Sequence, residues 1–413
     1  MLVNSFARCS TRCSARCSVR RLSTVSNSLF TSFFFHNSQW LPSKSYPSPR
    51  GSFQAQVPPP LSAFRKVEVL TPRRLLKVYA QLSKSRLTVL VVLTAMSGVA
   101  LSPLPTTIPI LLSTAVGTAL CSASANTLNQ IQEVPFDAQM ARTRSRPLVR
   151  RAISPLHAAG FALATGIAGP GLLLTMVNPT VAALGAANIA LYAGLYTWMK
   201  RRSIYNTWVG SVVGALPPLM GWTACGGKLF PSASYPIEYF LPPILSSTPQ
   251  LPINVALVDN PLAPLALSIL LFSWQFPHFN SLSYIVRESY AQAGYHMLSV
   301  LSPAKNALVS LRHTLLLTAT CSVLIPLSGL TTWTFALVSF IPNAICVRAA
   351  WRFWRRGGEK EAKVVWHHSL WYLPVMLGLM MLHKQGMDWL KWLGLHSQKE
   401  ESTETKSPSV DLS

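Results

Sequence analysis

The sequence predicts an all-α polytopic membrane protein, a bundle of about nine transmembrane helices. Three observations carry that expectation. Half of its 413 residues are apolar and only 12% are charged, with mean hydropathy +0.32; soluble domains carry about 25% charge. Apolar runs of about 20 residues, enough to span the hydrocarbon core of a bilayer, recur along the chain. The basic residues fall in alternate loops between those runs, as the positive-inside rule requires. The formal net charge of +23 therefore reads as membrane orientation and phosphate binding. No nucleic-acid partner is expected.

Residues 1–40 are rich in Arg and Ser, and the first acidic residue of the chain is Glu68. Arg8, Arg12, Arg16 and Arg20 recur every four residues and would build one basic helical face. That is the composition of a mitochondrial transit peptide. Residues 41–83 read as a Pro- and Ser-rich flexible linker followed by a basic N-terminal arm with Arg73, Arg74 and Lys77. The membrane domain is expected over 84–385, with spans near 86–104, 107–131, 154–176, 179–199, 204–224, 261–283, 307–327, 331–350 and 369–385. Gly210 and Gly214 have the spacing of close helix packing, and Pro217-Pro218 should break or kink the fifth span. Residues 225–260 read as a long inserted loop, with room for a short interfacial helix. Residues 386–413 form a polar tail, disordered from about 397. The seven cysteines include no Cys-x-x-Cys pair, so no disulfide framework is expected.

The loops after spans two, four, six and eight hold Arg142–Arg151, Lys200-Arg201-Arg202, Arg287 with Lys305, and Arg352–Lys363. The intervening loops hold almost no basic residue except Lys228. In the mitochondrial inner membrane the basic face is the matrix side.

The richest chemistry lies where the second span meets water. Asn126 and Asn129 are followed by Glu133 and Asp137, then by Arg142 and Arg146. Ionisable groups at membrane depth are costly and point to function. Glu133 and Asp137 are four apart and share a helix face. Two such carboxylates can hold Mg²⁺, whose remaining ligands are commonly phosphate oxygens and water. The Arg142 and Arg146 forks suit those phosphate oxygens. Pro135 between the carboxylates predicts a broken or kinked turn. The plainer alternative, a charged helix end beside a topology-setting loop, explains the arginines but not the two asparagines and two carboxylates together.

Two further clusters lie at the same face. Lys200-Arg201-Arg202 can bind anionic oxygens, and equally well marks a helix end. Trp274-Gln275-Phe276-Pro277-His278-Phe279 places a histidine inside an apolar span, as a general base, a metal ligand or a hydrogen-bonded core residue. His367 and His368 are expected to be solvated in a basic loop.

Asn126-x-x-Asn129, Glu133-x-x-x-Asp137 and Arg142-Thr-x-x-Arg146-Pro-Leu resemble the first aspartate-rich motif of the UbiA-type intramembrane prenyltransferases. Tyr196-Thr-Trp-x-Lys200-Arg201-Arg202-Ser203, Gly210-x-x-x-Gly214-Ala-x-Pro217-Pro218 and Trp274–Phe279 are similar to its haem-directed branch. The resemblance runs from about 84 to 385. It implies a nine-helix bundle around a central cavity open to the basic face. It also implies transfer of farnesyl from farnesyl diphosphate to a vinyl group of haem B, dependent on Mg²⁺. Glu133, Asp137 and Asn129 would hold the metal, and Asn126 would assist catalysis. Arg142, Arg146, Lys200, Arg201, Arg202 and Arg287 would bind diphosphate, and His278 would meet haem. Where the family's second motif usually has paired aspartates, this chain reads Arg287-Glu288-Ser289-Tyr290, so Arg287 is expected to take part of the diphosphate charge. Two other readings stay open: a prenyltransferase for an aromatic quinone precursor, and a non-catalytic haem assembly or transport protein. A homo-oligomer or a partner in haem A synthesis would fit either haem-directed reading.

Overall fold

The computed structural model describes residues 71–245 and 259–387. The transit peptide, the linker up to 70, Cys9, Cys13 and Cys17, residues 246–258 of the long loop and the tail from 388 lie outside them. Among the described residues the chain is helical, with two isolated β-bridges and no strand.

The basic arm ends in α1 (Pro72–Leu82), which meets α2 (Ser85–Leu101) at a bend of 58°. Lys84 makes that bend in the left-handed region, at φ 48°. Then come α3 (Ile108–Asp137), α4 (Pro155–Met176), α5 (Pro179–Met199) and α6 (Asn206–Ala224). After the long loop follow α7 (Leu262–Ile285), a short α8 (Arg287–Gln292), α9 (Pro303–Leu327), α10 (Thr334–Arg356) and α11 (Gly358–Leu382). Prolines at or beside the first turn open α1, α3, α4, α5 and α9, where the missing N–H costs nothing.

All nine expected spans fall on helices. By length and apolarity, however, six of the described helices can cross a membrane alone (α3, α4, α5, α7, α9 and α10), and α1 with α2 makes a seventh if the pair is one span. The count of nine crossings is thus not reached. Helix α11 explains part of the difference. It begins eleven residues before the expected span at 369, because Glu359 and Glu361 favour a helix N-terminus and Glu359 pairs with Lys363 at 2.7 Å. His367 and His368 therefore ride on a helix rather than in a loop. Trp371 Nε1 donates to His368 Nδ1 at 3.1 Å.

At two of the prolines expected to break or kink a helix, the helix is not broken. Helix α3 runs through Pro135 and ends at Asp137. Helix α6 runs through Pro217 and Pro218 to Ala224. Pro217 has no N–H for the carbonyl of Val213 four residues back, and Asn188 Nδ2 of α5 donates to that carbonyl instead at 3.0 Å. Gly210 and Gly214 do not mark a close backbone crossing. They face the Tyr196 ring and the Gln275 amide. The backbones approach most closely where α2 crosses α6. A Cβ on Gly221 would overlap the Ala95 carbonyl, and one on Gly98 would overlap that of Pro218.

Apolar packing falls into several clusters among the described residues, two of which take in most of the long helices. One core joins Trp222 of α6 with Leu267 and Leu270 of α7, Leu317 of α9, Phe335 of α10 and Tyr372 of α11. The other joins Cys121, Leu173, Val181 and Met220 of α3 to α6. At one end of the bundle the α3–α4, α5–α6 and α7–α9 connections meet. His296 N donates to Lys200 O at 2.9 Å, and the Phe136 and Tyr295 rings lie 5.6 Å apart. The long loop packs at the other end. Phe240 N donates to Leu327 O at 2.9 Å, and Asn260 Nδ2 donates to Ser328 O at 2.9 Å. Among residues 225–245 there is no helix.

Candidate active site

The last three turns of α3 project Asn126, Asn129, Glu133 and Asp137 from one face, and all four are buried. Opposite them, α5 winds from α-helix into a π-helical stretch, Ala190–Tyr196. Such wide turns recur at functional sites. The stretch stacks Tyr192 on Tyr196 with centroids 5.2 Å apart. One turn later it delivers Lys200.

Lys200 Nζ donates to Glu133 Oε1 at 2.7 Å and sits 4.6 Å from the centre of the Tyr196 ring. Burial works against a charge on Lys200, but the Glu133 carboxylate overrides it and holds the ammonium well above the usual lysine range. Arg146, from the α3–α4 connection, pairs with Asp137 Oδ2 and lies 3.7 Å from Glu133 Oε2. Thr143 Oγ1 donates to the Asp137 carbonyl at 3.0 Å and so ties that connection to the end of α3. Lys84, at the α1–α2 bend, donates to Asn129 Oδ1 at 2.9 Å and to the Tyr192 hydroxyl at 3.3 Å. Two carboxylates thus meet two cations, Lys200 and Arg146, with the Lys84 amine beside them across Asn129.

The asparagines differ. Asn129 spends both ends of its amide, on Lys84 and on Thr197 Oγ1 at 3.0 Å. Asn126 donates to Ser83 O and Ser122 Oγ, and its buried Oδ1 has no partner among the described residues. Asp137 Oδ1 is likewise buried and has no partner among those residues. A stranded anionic oxygen beside a second carboxylate is a donor set that a hard cation fits. Among the described residues no three His, Cys, Asp or Glu side chains cluster to hold a metal by themselves.

The remaining basic residues stand further out. Arg142 is exposed. Arg201 stacks over Phe136 at 4.7 Å and Arg202 over Trp198 at 4.2 Å. Arg287 stacks over Tyr284 at 4.5 Å and donates to its carbonyl at 3.1 Å. His278 belongs to a different neighbourhood. Its ring stacks on Trp274 at 4.8 Å, and its Nδ1 meets Ser369 Oγ of α11 at 2.9 Å. Trp274 Nε1 donates to Ser369 O at 2.9 Å. Beside this group a cleft opens among α7, α9, α10 and α11, lined by Trp274, Pro277, Cys346, His368 and Tyr372.

Reading the sequence for a site missed Lys84, Tyr192, Thr197 and Tyr295. Tyr192, Tyr196 and Lys200 follow one another at intervals of four, which is a usable signal of one polar helical edge. Tyr295 gave none, because it reaches the site only through the packing of Phe136 and Tyr290.

The chain is 41% identical over 341 residues to a mitochondrial protoheme IX farnesyltransferase of Gibberella zeae, covering 79% of this chain and 64% of that one. It is 44% identical over 328 residues to the Yarrowia lipolytica protein of the same name, covering 76% and 63%. The chain thus spans just under two thirds of the length of these relatives. A solved structure of digeranylgeranylglyceryl phosphate synthase superposes with a TM-score of 0.55 at 16% identity, covering 75% of this chain and 98% of that one; this is a likeness of fold. Residues 90–373 match the UbiA prenyltransferase family model, and the chain belongs to that family.

Proposed function

We propose that this protein transfers the farnesyl group of farnesyl diphosphate to a vinyl group of haem B, giving haem O. The observation that carries the reading is the pair of buried carboxylates, Glu133 and Asp137, each held by a cation from a different loop, Lys200 and Arg146. Such a site suits a ligand that is both strongly anionic and able to bring a metal. The names of the relatives support haem as the acceptor.

The farnesyl tail lies among the apolar helices and the diphosphate at the basic end. Arg146 and Lys200 turn from the carboxylates to the diphosphate oxygens, and Arg142, Arg201, Arg202 and Arg287 add positive potential around the mouth. Mg²⁺, when bound by Glu133 and Asp137, supplies further neutralisation of the leaving group. Asn126 Oδ1 would accept a hydrogen bond beside the carboxylates that would hold the metal, and Asn129 keeps Lys84 in place. Neutralising the diphosphate lowers the barrier to ionisation of the allylic carbon–oxygen bond. That bond breaks with its electron pair leaving on diphosphate. The vinyl π pair of haem then forms the new carbon–carbon bond, and water captures the resulting carbocation and loses a proton. His278, oriented by Ser369 and stacked on Trp274, orients the porphyrin or receives that proton. The protein works in the mitochondrial inner membrane, with the basic end toward the matrix.

The test is the product made by purified protein given haem B, farnesyl diphosphate and Mg²⁺. A hydroxyethylfarnesyl porphyrin is expected, with one diphosphate released per turnover. Turnover of an aromatic acid in place of haem would overturn the assignment of the acceptor.

A further inference from the structure

Tyr295 has no role in the proposed reaction. It lies in the connection between α8 and α9 and is 3% exposed, yet its hydroxyl has no hydrogen-bond partner among the described residues. Its ring is fixed from three sides. Phe136 packs at 5.6 Å, Tyr290 packs edge-on at 5.8 Å, and the Lys200 ammonium stands 5.9 Å from the ring centre. The backbone beside it is fixed as well. His296 N donates to Lys200 O, and Asn206 Nδ2 donates to His296 O at 3.2 Å.

A buried phenol without a partner is costly, and native structures rarely tolerate that cost without a use for the group. The neighbouring charges are those of Glu133, Lys200, Asp137 and Arg146. We infer that the Tyr295 hydroxyl donates a hydrogen bond to the diphosphate of the prenyl substrate, beside Lys200. Burial pushes the phenol up from its ordinary range, so it keeps its proton at neutral pH and acts as a donor, not a base. The connection that carries Arg287-Glu288-Ser289 in place of paired acids thereby contributes a neutral donor to the leaving group. This inference rests on the proposal that a prenyl diphosphate binds here, and it makes Tyr295 a substrate-binding residue of that site.

The test compares wild-type protein, Tyr295→Phe and Tyr290→Phe, each as the full chain in detergent. The readout is binding of inorganic pyrophosphate with Mg²⁺, which needs neither haem nor turnover. Tyr295→Phe should bind pyrophosphate roughly tenfold more weakly, the size of one lost hydrogen bond to a charged group, and raise the KM for farnesyl diphosphate in step. Its thermal stability should be unchanged or higher, since the stranded hydroxyl is gone. Tyr290→Phe should bind as wild type does. Tyr295→Met, a second variant without the hydroxyl, should repeat the loss if the Phe variant does not accumulate. Unaltered pyrophosphate binding by a folded Tyr295→Phe or Tyr295→Met protein would overturn the inference while leaving the transferase reading intact. Absence of haem O formation, with pyrophosphate binding still dependent on Tyr295, would sink the choice of acceptor and not this contact.

Discussion

Lys200 and Glu133 stand 67 positions apart in the chain and meet at 2.7 Å, both nearly sealed from solvent. The contact joins the end of α5 to the last turns of α3. It also means that Glu133, proposed to hold a metal, is already neutralised in the free protein. If the proposed diphosphate draws Lys200 away, metal and substrate affinity should rise together.

That coupling is testable at the carboxylates. Glu133→Gln and Asp137→Asn keep shape while removing charge, and a hard cation loses much of its attraction to an amide. The expected outcome is a rate fall on the order of a hundredfold or more, with a raised Mg²⁺ requirement. Glu133→Gln should also accumulate less well than Asp137→Asn, because it leaves Lys200 buried without a counter-charge. Immunoblots of membrane fractions beside Mg²⁺ titrations separate the two effects. An unchanged Mg²⁺ dependence in both variants would make the pair a structural element.

Arg146 contacts Asp137 and Glu133 through one guanidinium. Lysine offers a point charge instead of a fork. Arg146→Lys should lower kcat/KM for farnesyl diphosphate at least tenfold, by the same hydrogen-bond magnitude, and leave the KM for haem unchanged. Wild-type turnover at limiting farnesyl diphosphate would reduce Arg146 to a topology signal.

The α2–α6 crossing should be the least tolerant place in the bundle. Gly221→Ala drives a methyl into the Ala95 carbonyl, and overpacking of this kind costs about 1–3 kcal/mol. Gly160→Ala and Gly171→Ala, where nothing lies within 4 Å of the added carbon, should be neutral. Thermal unfolding in detergent measures the difference, and equal midpoints for all three would refute the close crossing.

Orientation follows from the two ends of the bundle. Ser145 and Ser234 are exposed, the first beside the site and the second in the long loop at the far end. With Cys225 replaced, a cysteine at 145 should react only with reagent on the matrix side, and one at 234 only from the other. Labelling of both from one side would break the proposed topology.

Much of this site was legible in sequence because it is local. Asn126, Asn129, Glu133 and Asp137 share a face by helical spacing alone, and a basic loop following them is a strong signal. The rest was not legible, for physical reasons. Lys84 reaches Asn129 through the α1–α2 bend, which no apolar run announces. The π-helical stretch of α5 changes which residues face inward without changing composition. The charged start of α11 reads as loop by hydropathy and is helix by the pairing of its own side chains. The proline at 217 reads as a break because sequence shows the donor that proline lacks, not the Asn188 amide that replaces it.

The hydrogen bond from Asn188 to the Val213 carbonyl makes two distant positions answerable to each other. While 217 is proline, Asn188 is indispensable, since losing its amide would strand a carbonyl within the helix bundle. Were 217 to become an ordinary helix former, its own N–H would serve that carbonyl and Asn188 would be released from constraint. The order of substitution therefore matters: a lineage could lose the proline first and the asparagine second, but not the reverse.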